Sequence, residues 1–338
     1  MKQYTVAVVG ATGVVGKEIL SVLEERHFPV GKLVPLASAK SAGTTVQFKG
    51  EHIEVQELKE TSFEGVDFAL FSAGGAISKL FVPIAAQSGA IAIDNTSYFR
   101  MHADIPLVVP EVNGAILKDG NHSIIANPNC STAQMVVALK PIYDAVGIDR
   151  IVVSTYQSVS GAGKKALDEL ENHARLSLSG GSPDPSVFSH PIAFNVIPQI
   201  DVFVDNGYTK EEMKLIEETK KIMGDDSIAV TATAVRVPVF ISHSEAVNIQ
   251  TKQKISAKQV RELLQNAPGI EVMDDPATNT YPTPRQASGK DDVLVGRIRE
   301  DLSIPNGIEL WCVGDNLRKG AALNAVQIAE TLVHYGKR

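Results

Sequence analysis

The side chain with the most chemistry to offer is Cys130, one of only two cysteines in the chain. It lies in Asn127-Pro128-Asn129-Cys130-Ser131-Thr132, where an apolar run ending at Ala126 breaks at Pro128 and the residues from Gln134 to Leu139 continue without a helix breaker. This pattern puts the thiol in the first turn of a helix, beside unpaired backbone N–H groups and the positive end of the helix dipole. Such a place lowers a thiol pKa and favours the nucleophilic thiolate. A lone cysteine is as readily a buried, inert side chain, so the rest of the sequence must decide. Gln157, near the end of the β-branched run Arg150 to Ser158, is an uncharged group able to orient a substrate without competing for protons. Arg236 and His243 flank Val237 to Ser242. Close to a thiol they would supply a carboxylate grip and a proton carrier. Glu211 and Lys214 stand three apart in a helix that Thr209 and Glu212 open as a capping box, a spacing equally suited to a solvated ion pair. Arg100 follows the loop Asp94-Asn95-Thr96-Ser97 and could grip an anion through two parallel hydrogen bonds. Cys312, inside Leu310-Trp311-Cys312-Val313, reads as a buried thiol without function.

These residues need a scaffold, and the first third of the chain reads as strand–helix units. Tyr4 to Val9 is an apolar run with no polar alternation, the mark of a parallel strand covered on both faces. Gly10-Ala11-Thr12-Gly13-Val14-Val15-Gly16 follows directly and opens an amphipathic helix. A strand, a glycine turn and a helix in this order let a backbone approach a pyrophosphate at the helix N-terminus. The spacing is G-x-x-G-x-x-G, with Thr12 where the usual fingerprint has glycine. A phosphate loop of the NTPase kind is excluded, because Glu18 follows Lys17 where that motif needs Ser or Thr. The next strand, Leu33 to Ala37, ends not in a carboxylate but in Ser38, Lys40, Ser41 and Thr44. Hydroxyls and a cation suit a ribose 2′-phosphate, so NADP is favoured over NAD. Ser72-Ala73-Gly74-Gly75, after the strand ending at Phe71, should also border the cofactor. Leu107 to Asn113 and Ile124 to Ala126 read as the last strands before the cysteine.

Beyond it, Lys165 to Ser179 reads as a helix, Gly180 to Pro185 as a loop, and Ile228 to Val237 with Glu245 to Thr251 as antiparallel strands about Pro238 to His243. Pro268 to Lys290 is a polar connection, and Asp292 to Arg299 and Glu309 to Val313 are the remaining strands. The segment Gly314 to Ala322 opens a final helix of the kind that returns to a first domain.

At 338 residues two domains are expected. An apolar fraction of 44% with 6% aromatic residues and 26 glycines fits an α/β protein. A formal charge of −7 and the lack of a basic run argue against nucleic acid as partner. Two cysteines make no disulfide framework and fit a reducing compartment. No apolar run reaches membrane-spanning length, so no membrane partner and a cytoplasmic location are expected. The absence of H-e-x-x-h-type and paired-cysteine spacings speaks against a metal, and that of G-x-S-x-G against a serine hydrolase.

Taken together, Gly10 to Gly16, Ser72 to Gly75, Asn127 to Thr132, Thr155 to Gly163 and Arg236 to His243 resemble the aspartate-semialdehyde dehydrogenase family. The likeness runs in order from Val6 to the final helix and looks closest to the branch found in Gram-positive bacteria. It implies a Rossmann-like, parallel-sheet NADP domain (residues 1–129 and 317–338). It also implies an α+β catalytic and dimerisation domain of the glyceraldehyde-phosphate-dehydrogenase type (residues 130–316). The implied reaction is reversible, NADPH-dependent conversion of aspartyl phosphate to aspartate semialdehyde and phosphate through a cysteine thioester, for lysine, threonine and methionine synthesis. Carried over, Cys130 is the nucleophile, Gln157 orients it, and His243 is the acid/base. Arg236 would hold the substrate carboxylate, Glu211 its ammonium, and Lys214 with Arg100 the phosphate, with Asn129 also touching substrate. Ser160, Gly161 and Asn316 would join the glycine loop, Ser38, Lys40, Ser41, Thr44, Ala73 and Gly74 around the cofactor. Lys40 departs from the arginine common in related sequences, a point charge in place of a planar fork. A homodimer or tetramer is implied. The rival readings are an N-acetylglutamyl-phosphate reductase and a non-catalytic nucleotide-binding relative.

Overall fold

The computed structural model describes residues 2–119 and 121–338, which divide into two compact units, Met1–Asn129 with Ala321–Arg338, and Cys130–Gly320. The first unit begins with β1 (Tyr4–Val9), α1 (Val14–Glu25) and β2 (Val30–Ala37). A small hairpin of β3 (Thr45–Phe48) and β4 (Glu51–Glu54) and the short β5 (Gln56–Glu57) follow. Next come β6 (Phe68–Phe71), α2 (Gly75–Gln87), β7 (Ile91–Asp94), the single-turn helices α3 (Pro110–Asn113) and α4 (Ile116–Asp119), and β8 (Ile124–Ala126). The sheet order is β5-β2-β1-β6-β7-β8, with every pair parallel. This is the doubly wound, Rossmann-like sheet the sequence predicts. Val6 and Val8 are wholly buried, in one apolar cluster with Ile19 and Leu23 of α1 and Val326 near the C-terminus. The chain leaves β1 toward β2 on one side and β6 on the other, so the ends of β1 and β6 form the switch point where such sheets bind ligands.

One expectation fails here. Leu107 to Asn113 is not a strand: only Leu107 bridges to Ala126, and Pro110 starts α3 instead. Proline at the first helical position has no N–H to lose and is preset for the helix.

The second unit opens with α5 (Cys130–Val146), buried from Ser131 to Leu139 on every side. It continues through β9 (Ile148–Gln157), α6 (Lys164–Leu178), α7 (Lys210–Met223), β10 (Ala229–Arg236), β11 (His243–Thr251) and α8 (Ala257–Gln265). It ends with β12 (Ile270–Val272), the single turn α9 (Pro284–Ala287), β13 (Val293–Glu300) and β14 (Gly307–Gly314). The sheet is mixed, in the order β10-β9-β11-β14-β13-β12, so the unit is α+β. The expected hairpin of β10 and β11 does not form, because β9 lies between them, parallel to β10 and antiparallel to β11. Alternation along the strands sends Ile151, Val153 and Val247 inward, wholly or almost wholly buried. Tyr156 and Trp311, with rings 5.4 Å apart, lie on the opposite, less covered face.

The second unit keeps residues 317–320, where Asp315 accepts from the N–H groups of Leu317 and Arg318. The last helix, α10 (Leu323–His334), belongs to the first unit. Its Asn324 donates to the Val108 carbonyl and to Asn127 Oδ1, and Arg26 pairs with its Glu330 at 2.8 Å.

Candidate active site

Strand register gathers three of the predicted residues in the second unit. Gln157 is the last residue of β9, Arg236 is the last of β10 and stands opposite it in register, and His243 is the first of β11 on the other side of β9. The link from β10 to β11 crosses the end of β9, held by N–H bonds from Val237 to the Gln157 carbonyl and from Val159 to the Val239 carbonyl. Cys130 begins α5, as the break at Pro128 predicts, and is half-buried. Gln134, one turn further, donates to the His243 carbonyl at 3.3 Å and ties this helix to β11. The backbone at Gly320 lies against Cys130: a Cβ there would stand 2.6 Å from Cys130 Cβ. No side chain larger than hydrogen fits there.

The α7 residues complete the group. The capping box forms, with Glu212 accepting from the Thr209 N–H and also from the Ala234 N–H of β10, which fixes the helix start to the sheet. Glu211 is thereby presented to Gln157, whose Nε2 donates to Glu211 Oε1 at 3.0 Å while its Oε1 accepts from Thr155. Lys214 Nζ donates to Glu211 at 3.0 Å and to Asp201 at 3.1 Å. Burial alone would lower the Lys214 pKa, but the two carboxylates more than offset it and the net shift is upward. The solvated-pair reading of Glu211 therefore fails: the carboxylate is buried and engaged from both sides. Asp201 escaped the sequence reading. It sits in an irregular segment at φ +67, and only its place eight residues before the Thr209 cap hinted at proximity.

Arg236 is buried, donates from Nη1 to the Ser158 carbonyl at 2.6 Å, and lies 5.8 Å over the Phe188 ring. Desolvation lowers its pKa against the opposing charges of Glu211 and Cys130. A guanidinium remains charged regardless. His243 is fully buried; desolvation and then the Arg236 charge push its pKa down to about 3, against the opposing effect of Glu211. Burial beside a guanidinium favours the neutral ring. Ser160 and Asn316, expected around a cofactor, are buried with their side chains bonded to each other and to Ser158, while Gly161 is exposed.

In the first unit, Gly10 takes φ +87 and a Cβ there would stand 2.6 Å from the Ser72 carbonyl oxygen, while one on Gly16 would overlap the Gly10 oxygen. Only glycine permits this packing of loop, helix and neighbouring strand. Gly13 donates to the Gly10 carbonyl, and Thr12, Val14 and Val15 are partly accessible around it. Ala73 and Gly74 follow β6 on the same side of the switch point, Gly74 at φ +92. Ser38, Ser41 and Thr44 make a turn closed by Thr44 Oγ1 on the Ser41 carbonyl, with Lys40 exposed upon it. The glycine loop at the sheet's switch point is the kind of place where a dinucleotide binds. Arg100 is buried, donating to the carbonyls of Asn127 and Asn95; Asn129 is likewise buried.

Another acidic group falls outside every expectation. Glu245, two residues beyond His243, is fully buried, and burial holds its pKa well above the ordinary 4.5 although Gln134 opposes this. Neither of its oxygens nor Gln134 Oε1 has a donor among the described residues, so a proton on Glu245 supplies the donor these oxygens need. Cys312 faces it, and burial followed by the Glu245 charge raises that thiol's pKa well above the ordinary value. It is the inert thiol the sequence predicts. Because the unfolded chain ionises Glu245 near 4.5 and the folded one only much higher, stability falls as pH rises through this window by about 1.4 kcal/mol per unit. Glu245→Gln should be the more stable protein above about pH 6, with an advantage that grows with pH. Urea unfolding at several pH values measures it, and an advantage independent of pH would show the carboxyl is not its source.

A parallel-sheet unit with a glycine loop, followed by a mixed-sheet unit that opens on a half-buried thiol, is the plan of a nucleotide-dependent dehydrogenase. The family model "Semialdehyde dehydrogenase, NAD binding domain" matches residues 5–119 and "Semialdehyde dehydrogenase, dimerisation domain" matches 139–319, which defines the class as semialdehyde dehydrogenase. Aspartate-semialdehyde dehydrogenase of Aquifex aeolicus is 56% identical over 98% of this chain and 99% of its own. That of Bacillus subtilis is 53% identical over 97% and 96%. The crystal structure of aspartate semialdehyde dehydrogenase II from Vibrio cholerae, complexed with ASA, matches with a TM-score of 0.96 and 56% identity, covering 99% of both chains. The chain belongs to the aspartate-semialdehyde dehydrogenase family. Relatives of comparable identity come from Bacillus and Vibrio alike, so the similarity is not confined to the Gram-positive branch.

Proposed function

We propose that the chain is an NADP-dependent, phosphorylating aspartate-semialdehyde dehydrogenase, acting between aspartyl phosphate and the semialdehyde in the synthesis of lysine, threonine and methionine. The observation that carries the reading is the convergence of Gln157, Arg236 and His243 on one end of three adjacent strands in the unit that Cys130 opens. Cys130 is the nucleophile, favoured as thiolate by the helix start. Gln157, clamped between Thr155 and Glu211, orients the acyl group. Arg236 offers the remainder of its fork to a carboxylate, and Glu211 offers a buried anion to an ammonium. Lys214 and Arg100 are the phosphate ligands, with Asn129 at the substrate and His243 as acid/base partner of the reacting oxygen. The nicotinamide, when bound, supplies or accepts the hydride. Gly10, Thr12, Gly13, Val14, Val15 and Gly16 would hold its pyrophosphate, with Ala73, Gly74, Ser160, Gly161 and Asn316 bordering it. Ser38, Lys40, Ser41 and Thr44 would hold the 2′-phosphate. The domain boundaries for these roles are 1–129 with the C-terminal helix, and 130 to about 316–320. The less covered face of the second sheet, with Tyr156 and Trp311, suits a homodimer. No helix among the described residues is long and apolar enough to cross a membrane.

The test is a phosphate-dependent assay with aspartate semialdehyde and N-acetylglutamate semialdehyde, each with NADP and NAD. Turnover is expected with the first aldehyde, phosphate and NADP; preference for the acetylated aldehyde would favour the rival reductase. Lys40→Ala should lower kcat/KM for NADP about tenfold and leave that for NAD unchanged.

A further inference from the structure

Arg236 is steadied from outside the strands that carry the site. Its backbone exchanges two hydrogen bonds with Ile197: the Ile197 N–H donates to the Arg236 carbonyl at 2.9 Å, and the Arg236 N–H to the Ile197 carbonyl at 2.8 Å. Its guanidinium carbon lies over the Phe188 ring, 5.8 Å from the ring centre. A ring at that distance attracts a cation without taking up any of its N–H groups. Phe188 lies in the irregular stretch between α6 and α7, so its place must be set by side chains that hold this stretch.

Glu169 does the holding. This buried carboxylate of α6 accepts from the N–H groups of Ser186 at 3.0 Å and Val187 at 2.7 Å, from the Ser186 hydroxyl, and at a longer 3.4 Å from the Phe188 N–H. Burial on its own would raise its pKa, but the Ser186 hydroxyl and the N–H groups outweigh it and the net shift is downward, which keeps the group an anion. One turn further along α6, His173 Nε2 donates to the Asp184 carbonyl at 3.2 Å. On the other side of Phe188, Ile192 and Ile197 pack with Leu170 of α6 and Val159 in a small apolar cluster, and the Phe188 ring packs against it. The helix therefore grips the stretch both before and after the ring.

We propose that Glu169 is a positioning residue for substrate binding: it anchors residues 184–188 so that the Phe188 ring steadies the Arg236 guanidinium where it meets the substrate carboxylate. This rests on the reading of Arg236 as the carboxylate grip. A carboxylate in the place of the ring would neutralise Arg236 and compete with the substrate, whereas an aromatic face leaves its charge and its remaining N–H groups to the ligand. The opposing charges that act on Arg236 are those of Glu211 and Cys130, so Glu169 reaches it through the stretch it anchors.

Steady-state kinetics of the full chain tests the ring. Phe188→Leu keeps an apolar side chain in the cluster but loses the aromatic face. It should raise KM for aspartate semialdehyde about tenfold, with kcat and the KM for phosphate within about twofold of the parent. Phe188→Tyr keeps the ring and should stay within about twofold in all three. An unchanged aldehyde KM in Phe188→Leu, or equal rises in both KM values, overturns the role of the ring. Hydrogen exchange tests the anchor: Glu169→Gln should speed exchange of the Ser186 and Val187 amides at least about tenfold and raise the aldehyde KM about fivefold. The double variant Glu169→Gln with Phe188→Leu should match the more impaired single variant within about twofold, and multiplied losses would show that Glu169 does not act through Phe188. If Glu169→Gln fails to fold, Ser186→Ala, which removes one donor and leaves the carboxylate, should shift exchange and aldehyde KM in the same direction by about two- to threefold; no change in either would remove the anchor. Failure of the parent protein to turn over the semialdehyde would reject the family activity and leave the exchange measurement standing.

Discussion

Cys130→Ala is expected to lose phosphate-dependent reduction of NADP by aspartate semialdehyde by at least about four orders of magnitude. No second nucleophile can substitute, because the other thiol, Cys312, is wholly buried with its pKa well above the ordinary thiol value. The substitution keeps the Cβ against which Gly320 packs, so the start of α5 is undisturbed. NADP binding should survive, since the glycine loop of residues 10–16 is built within the other unit. The measurement pairs turnover with a cofactor-binding titration. Residual turnover within about a hundredfold of the parent would reject Cys130 as the acyl carrier.

The second large effect falls on Arg236. Its Nη1 is committed to the Ser158 carbonyl, and among the described residues the remainder of the guanidinium has no hydrogen-bonding partner. Arg236→Leu should cut kcat/KM for aspartate semialdehyde by about 10²- to 10³-fold, mainly through KM, because a buried carboxylate would then face no cation. Arg236→Lys should recover little, since an ammonium cannot bond the Ser158 carbonyl and a carboxylate in the same plane. Steady-state kinetics with the aldehyde varied at saturating phosphate decides this, and an unchanged KM in Arg236→Leu would remove the residue from the substrate.

What the sequence displayed plainly were features set by local rules. The glycine loop after β1, the thiol at the start of α5 and the capping box of Thr209 and Glu212 each depend on a few consecutive residues and their backbone preferences. Pairing between distant strands is not local: β10 and β11 look like a hairpin until β9, some seventy residues earlier in the chain, takes the place between them. The strand-like composition of Leu107 to Asn113 likewise hid the helix that Pro110 initiates. The partners that give the site its electrostatics were least visible. Asp201 comes from an irregular loop, Glu245 looks like any polar residue in an alternating strand, and the bonds among Ser158, Ser242 and Asn316 join three separate stretches. None has a periodicity or a motif to announce it.

The insertion of β9 between β10 and β11 bears on how such an enzyme can change. Gln157, Arg236 and His243 are all measured off against one strand, and a shift of that strand by a residue would turn its side chains to the opposite face. The three cannot drift separately, so the distance from the Arg236 guanidinium to the His243 ring is held like a gauge. Asp201 and Lys214 lie outside the ruler, on a loop and a helix. Divergence toward a longer or differently charged substrate has its open route there, at the rim, while the strand ends keep their spacing.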